Sequence, residues 1–130
     1  MKITDKKNTL LNSEISYIIS TMGHTDMLVI GDAGLPIPDS TERVDLALVR
    51  GKTLQVVLSE LQVERVILAH KTQTVKPQFE ADVRGMLPGV QVDFVTHEEL
   101  KRLSARARAV VRTGECKPYA NVILVSGVAF

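Results

Sequence analysis

Gly23-His24-Thr25-Asp26-Met27-Leu28-Val29-Ile30-Gly31-Asp32-Ala33-Gly34-Leu35-Pro36-Ile37-Pro38 is the stretch from which the fold is read. Its centre, Met27 to Ile30, is apolar without alternation, the pattern of a strand buried on both faces of a sheet. A loop rich in Gly and Pro follows, and Asp32 sits where strand gives way to loop. In α/β proteins that position commonly holds a polar ligand. His24 stands at the other end of the run. Histidine is the side chain whose charge change falls nearest neutral pH, which suits it to proton transfer.

Moving outward, Ile15, Ile18, Ile19 and Met22 recur at helical spacing before Gly23, so residues 13 to 22 read as an amphipathic helix with Asn12 or Ser13 as its cap. Val44, Leu46 and Leu48 alternate with polar or small residues, as a half-exposed strand does. Leu54, Val57, Leu58 and Leu61 give a helix capped by Thr53, and Arg65 to Ala69 a strand. Pro77 suits the first turn of a helix whose stripe is Phe79, Val83, Met86 and Leu87 and which Gly89 closes. Val90, Val92 and Phe94 alternate as a further strand. Thr96-His97-Glu98-Glu99 matches a capping box and opens a helix with Leu100 and Leu103 inward. Ala109 to Val111 and Val122 to Val125 complete the strands. This alternation predicts a three-layer α/β/α single domain, residues 1–130, with a mostly parallel or mixed sheet.

Composition narrows the function classes. With 130 residues the chain can bury a real core, and with aromatics at only 4% that core must be mostly aliphatic. A formal net charge of +1 supplies no broad field for nucleic acid or anionic lipid. Lys101, Arg102, Arg106 and Arg108 form a basic stretch on a helix, but without interleaved aromatics it reads as a solvated face. The lone Cys116 excludes an internal disulfide framework and fits a reducing compartment. No apolar core of a secretory signal follows Lys2, Lys6 and Lys7, and the longest apolar runs fall far short of the roughly eighteen residues that span a bilayer. A cytoplasmic protein without membrane or nucleic-acid partners is the expectation.

Three patches at element junctions could carry chemistry: Gly23 to Asp26 with Asp32, His97 at a helix start, and Arg112 to Asn121. Each has a plainer reading. His24 could be a residue favoured by a helix C-terminal dipole, Asp32 a turn former, His97 a surface residue of a first turn. Tyr119 and Asn121 could be a satisfied tyrosine and a turn residue, and Arg112 and Glu115 an ion pair. One cysteine and 3 scattered histidines give no metal-ligand spacing, and no phosphate-binding glycine loop or serine nucleophile elbow is present. What remains is proton chemistry on a neutral, hydroxyl-rich molecule, with no cofactor and no metal.

Taken together, Leu11-Asn12-Ser13, Gly23 to Asp26, Asp32 to Pro38, Thr96-His97-Glu98, Arg112 to Glu115 and Pro118-Tyr119-Ala120-Asn121 closely resemble the D-ribose pyranase family, which shares a superfamily with L-fucose mutarotase. The likeness runs from about Leu11 to Phe130, and Gly34 to Pro38 favours the ribose branch. The resemblance implies an isomerase of carbohydrate metabolism, a cytoplasmic, cofactor-independent enzyme that interconverts the β-pyranose and β-furanose forms of D-ribose. It also implies a homodecamer of two stacked pentamer rings. By motif match His24 takes the place of the general acid, and Asp32, His97, Tyr119, the Ala120 backbone and Asn121 those of the sugar-binding groups. The chain departs from the family pattern at Gly51 to Leu54, where a short Pro- and Phe-containing insertion is missing. It departs again at Ala69 to Gln73, which lacks the expected acidic residues. A same-superfamily mutarotase acting on another sugar such as L-fucose, and a non-catalytic sugar-binding subunit, are the rival readings.

Spacing adds a geometric expectation. If the chain between His24 and Asp32 is mostly strand, their Cα atoms lie up to roughly 26 Å apart at about 3.3 Å per residue. One pentose cannot touch both. Either the flanks curl back, or a site combines His24 of one subunit with Asp32 of another, and the second arrangement is the one expected.

Overall fold

In the computed structural model, which describes residues 13–31, 37–45, 57–113 and 121–127, the apolar run at Met27 becomes an inner strand of a six-stranded sheet. The strands are β1 (Met27–Gly31), β2 (Arg43–Asp45), β3 (Val63–Ala69), β4 (Gln91–Val95), β5 (Ala109–Arg112) and β6 (Val122–Ser126), in the order β2-β5-β1-β6-β3-β4. Four helices accompany them among the described residues: α1 (Ser13–Thr21), α2 (His70–Val75), α3 (Pro77–Met86) and α4 (His97–Ala105).

Successive residues of a strand point to opposite faces, and here they sort into two cores. Leu28, Ile30, Val66, Leu68 and Leu124 face the α1 stripe Ile15, Ile18 and Ile19 and the α3 residues Phe79 and Val83. Val29, Ile67, Val110 and Ile123 face Leu100 and Leu103 of α4 on the other side. The inner strands are dry on both faces, with Leu28, Val29, Ile30, Val122, Ile123 and Leu124 each at 0% exposure, which is why their sequences show no alternation. The three-layer expectation therefore holds. The sheet is mixed: β6 alone runs antiparallel, with Leu28 opposite Leu124 and Val66 opposite Leu124 on its two sides. Its direction follows from chain length. The connection from β5 to β6 spans only 113–121, shorter than the dozen or so residues a parallel crossover takes.

Three of the start and stop signals act as read, while Asn12 lies outside the described residues. Pro77 occupies the first turn of α3, and Gly89 follows that helix with φ +81°, a conformation costly for any residue with a Cβ. Thr96 caps α4, its hydroxyl accepting from the Glu99 N–H at 3.1 Å. Three features differ from expectation. Helix α2 was not anticipated, because His70–Val75 is a short segment with two threonines and a valine and no side-chain cap. The basic stretch does not share one helix: α4 ends at Ala105, Arg106 is its C-cap and Arg108 lies beyond it. Strand β3 begins at Val63, ahead of Arg65. Val57 and Leu58 are helical as expected, but Leu61 falls past that helix and Val90 just ahead of β4; Thr53, Leu54, Leu46 and Leu48 lie outside the described residues.

Candidate functional site

Five strands end at one edge of the sheet and begin at the other, so residues at element junctions fall into two separate groups. His24 belongs to the edge where β1 and β3 begin and β6 ends. After α1, the Asp26 carboxylate accepts from the Gly23 N–H at 2.8 Å, and the Asp26 N–H donates back to the Gly23 carbonyl at 3.1 Å. This closes a tight turn with His24 and Thr25 at its tip. Thr25 has φ +73°, rare for a β-branched side chain and costing on the order of 1–3 kcal/mol. Its N–H donates to the Ser126 carbonyl at 2.9 Å, and the Ser126 N–H donates to the Asp26 carbonyl at 2.8 Å. The turn is thus stitched onto the end of β6, continuing the β1–β6 ladder.

At that tip the His24 Nε2 lies 2.5 Å from Oε1 of Glu64, the second residue of β3, with side-chain exposures of 53% and 41%. A cleft of about 260 Å³ opens beside the pair, bounded by Met22, His24, Glu60, Gln62, Ser126 and Gly127. An exposed imidazole with a carboxylate beside it, at the wall of an open cleft, can exchange protons with a molecule bound there. Glu64 was not singled out from the sequence. It falls just ahead of the strand read from Arg65, and its pairing with His24 is a contact between distant segments. A larger cleft of about 420 Å³ lies on the other side of the same turn, lined by Asp26, Ser40, Glu42 and Arg108 among others. It holds no histidine, and Arg108 there is engaged by Thr21 at 2.5 Å and Glu42 at 3.9 Å.

The opposite edge carries Asn121 and His97. Asn121 is 3% exposed and directly precedes Val122, which pairs with Ile30 near the end of β1. Thr113, just past β5, donates its N–H to the Gly31 carbonyl at 2.9 Å. His97 begins α4 beyond the end of β4, half-buried and with its Nδ1 atom buried. Between them along the edge, His70 at the start of α2 stacks on Phe94, ring centroids 6.1 Å apart. The structure therefore places Asn121 and His97 along one edge and His24 at the other. Strand β1 alone separates the two edges by roughly 13 Å at about 3.3 Å per residue. Asp32, Tyr119 and Ala120 lie outside the described residues; Asp32 directly follows Gly31, the last residue of β1.

Among the described residues no helix is long and apolar enough to cross a membrane. The basic residues of α4 face carboxylates of their own helix, Arg102 pairing with Glu99 and Lys101 lying 3.9 Å from Glu98, as a solvated face does.

Comparison with known proteins bears on this arrangement. Residues 5–129 match the model of the RbsD / FucU transport protein family. The D-ribose pyranase of Clostridium perfringens is 52% identical over 130 aligned residues, covering 96% of this chain and 99% of that one. The structure of Bacillus subtilis RbsD complexed with D-ribose superposes with a TM-score of 0.88 at 39% identity, covering 93% of this chain and 96% of that one. The fucose mutarotase of Streptococcus pneumoniae, solved with L-fucose, has a TM-score of 0.80 at 24% identity, covering 95% of this chain and 96% of that one, and shares the fold.

Proposed function

Since the chain belongs to the RbsD / FucU transport protein family, we propose that it is a D-ribose pyranase, interconverting the β-pyranose and β-furanose forms of D-ribose by acid/base ring opening and closure. The observation that carries this reading is the exposed His24, held by Glu64 at 2.5 Å over a cleft of about 260 Å³. The relatives at 39% and 52% identity supply the sugar, one named for its action on D-ribose and the other solved with it.

Changing ring size requires the hemiacetal to open. His24 delivers a proton to the ring oxygen while the anomeric hydroxyl loses one, leaving the aldehyde and a free chain hydroxyl. The C4 hydroxyl then adds to the carbonyl carbon in place of the C5 hydroxyl, and the protons return. A positioned acid/base group gives about 10²–10⁴-fold over the spontaneous reaction. Asp32 and Asn121 orient hydroxyls, Tyr119 and the Ala120 backbone add hydrogen bonds or a stacking face, and His97 binds a hydroxyl or completes the proton path. No step requires a cofactor or metal.

Because His24 and Asn121 lie at opposite edges of the sheet, a complete site takes His24 from one subunit and Asp32, His97 and Tyr119 to Asn121 from another. A closed homo-oligomeric ring provides such contacts repeatedly; a decamer of two stacked pentamers working in the cytoplasm is the proposed form. NMR saturation transfer between the pyranose and furanose signals of D-ribose tests the activity. Exchange accelerated by the protein and abolished by His24→Ala supports it. Exchange unchanged by the protein, or acceleration surviving that substitution, refutes it. The same measurement on L-fucose anomers distinguishes the mutarotase reading.

A further inference from the structure

We propose that Glu64 is the positioning residue of His24: it fixes the tautomer and aim of the imidazole, so that Nδ1 is the nitrogen that exchanges a proton with the sugar. The inference rests on the reading of His24 as the acid. A carboxylate has no hydrogen to give, so with Oε1 of Glu64 2.5 Å from Nε2 the neutral ring is expected to keep its hydrogen on that nitrogen, as the cationic ring does. The exchangeable site is then Nδ1, a lone-pair acceptor in one state and an N–H donor in the other.

Three backbone features converge on this pair. The β3–β6 register passes from Val63 opposite Ser126 to Arg65 opposite Val125, an irregularity that falls at Glu64. Such bulges re-aim a side chain. Gly127 lies against the same residue: a Cβ there would meet the Glu64 Cβ at 3.2 Å and its backbone nitrogen at 3.5 Å, so the missing side chain leaves room for Glu64. Thr25, next to His24, holds its unfavourable φ of +73° while donating to the Ser126 carbonyl at 2.9 Å. The segments bearing the histidine and the carboxylate are therefore both referenced to the end of β6. An ion pair as exposed as this one contributes little to stability, so folding alone does not account for a bulge, a glycine and a left-handed threonine around it.

The test measures two things on the intact protein: ribose ring exchange by saturation transfer, and the tautomer of His24 by two-bond ¹H–¹⁵N correlation in ¹⁵N-labelled protein. The expected results are an Nε2–H tautomer in the unmodified chain, and for Glu64→Ala a mixed tautomer with exchange slowed roughly 10–100-fold, by analogy with metal-ligating histidines that lose their outer partner. Glu64→Gln keeps an acceptor for Nε2–H and recovers most of the rate with the tautomer restored. Gly127→Ala, which displaces Glu64 without removing its carboxylate, falls between. A neutral His24 carrying its hydrogen on Nδ1, or a Glu64→Ala rate not measurably slower than that of the unmodified protein, overturns the proposal. Failure of the unmodified protein to accelerate exchange would instead refute the pyranase reading, and the tautomer spectra would still decide whether Glu64 governs His24.

Discussion

His24 and Asn121 flank the β1–β6 pair from opposite ends. His24 precedes Met27, which pairs with Val125, whereas Asn121 directly precedes Val122, which pairs with Ile30. No turn within the described residues brings them together, since the Gly23 to Asp26 turn is bonded to Ser126, at the far end of β6 from Asn121.

A complementation experiment follows from that separation. His24→Ala and Asp32→Asn chains, each assembled alone, should leave ribose exchange at its spontaneous rate. Refolded together in equal amounts, they should recover about a quarter of the sites, as random assortment across heterologous contacts gives. Saturation transfer on the mixture reads the outcome, and the absence of recovery would place both residues in one subunit's site.

Thr25→Gly should raise stability. Glycine accepts φ +73° freely, so removing the strain outweighs the entropy that glycine adds to the unfolded chain, for a net gain of up to about 1 kcal/mol. The freer turn should hold His24 less firmly and slow ring exchange, the usual trade between stability and a strained site. Urea denaturation checks the first part, and a loss of stability would contradict it.

Thr96→Ala removes the hydroxyl that accepts from the Glu99 N–H at 3.1 Å and leaves that donor without its cap. The expected cost is about 1 kcal/mol in urea denaturation. Because His97 is the first residue of α4, fraying there should also weaken ribose binding, seen as a higher KM for exchange. Unchanged stability would show that water replaces the cap without loss.

Much of the fold was legible because its signals are local. The unbroken apolar runs at Met27 and Val122, the Ile15-Ile18-Ile19 stripe, Pro77 and the Thr96 cap each act within a few residues of themselves, through burial, fixed φ or a hydrogen bond along one helix turn. Helix α2 leaves no such local signal, because a short helix without a side-chain cap is held by packing, with Thr72 fully buried, and not by propensity. His24 was equally visible, and the fixed rise of a strand per residue is the ground for expecting that it and Asp32 serve different sites.

What the sequence by itself determined is the class of layers, the inner strands, the Thr96 cap and the candidate residues, all of which follow from side-chain pattern and backbone chemistry along the chain. Tertiary structure alone decided the rest. The place of β6 between β1 and β3 was set by sheet pairing, and Glu64 became the partner of His24 because β3 and the Gly23 to Asp26 turn both dock on the end of β6. Contacts between segments some 40 residues apart in sequence arise from sheet pairing, and no local pattern encodes them.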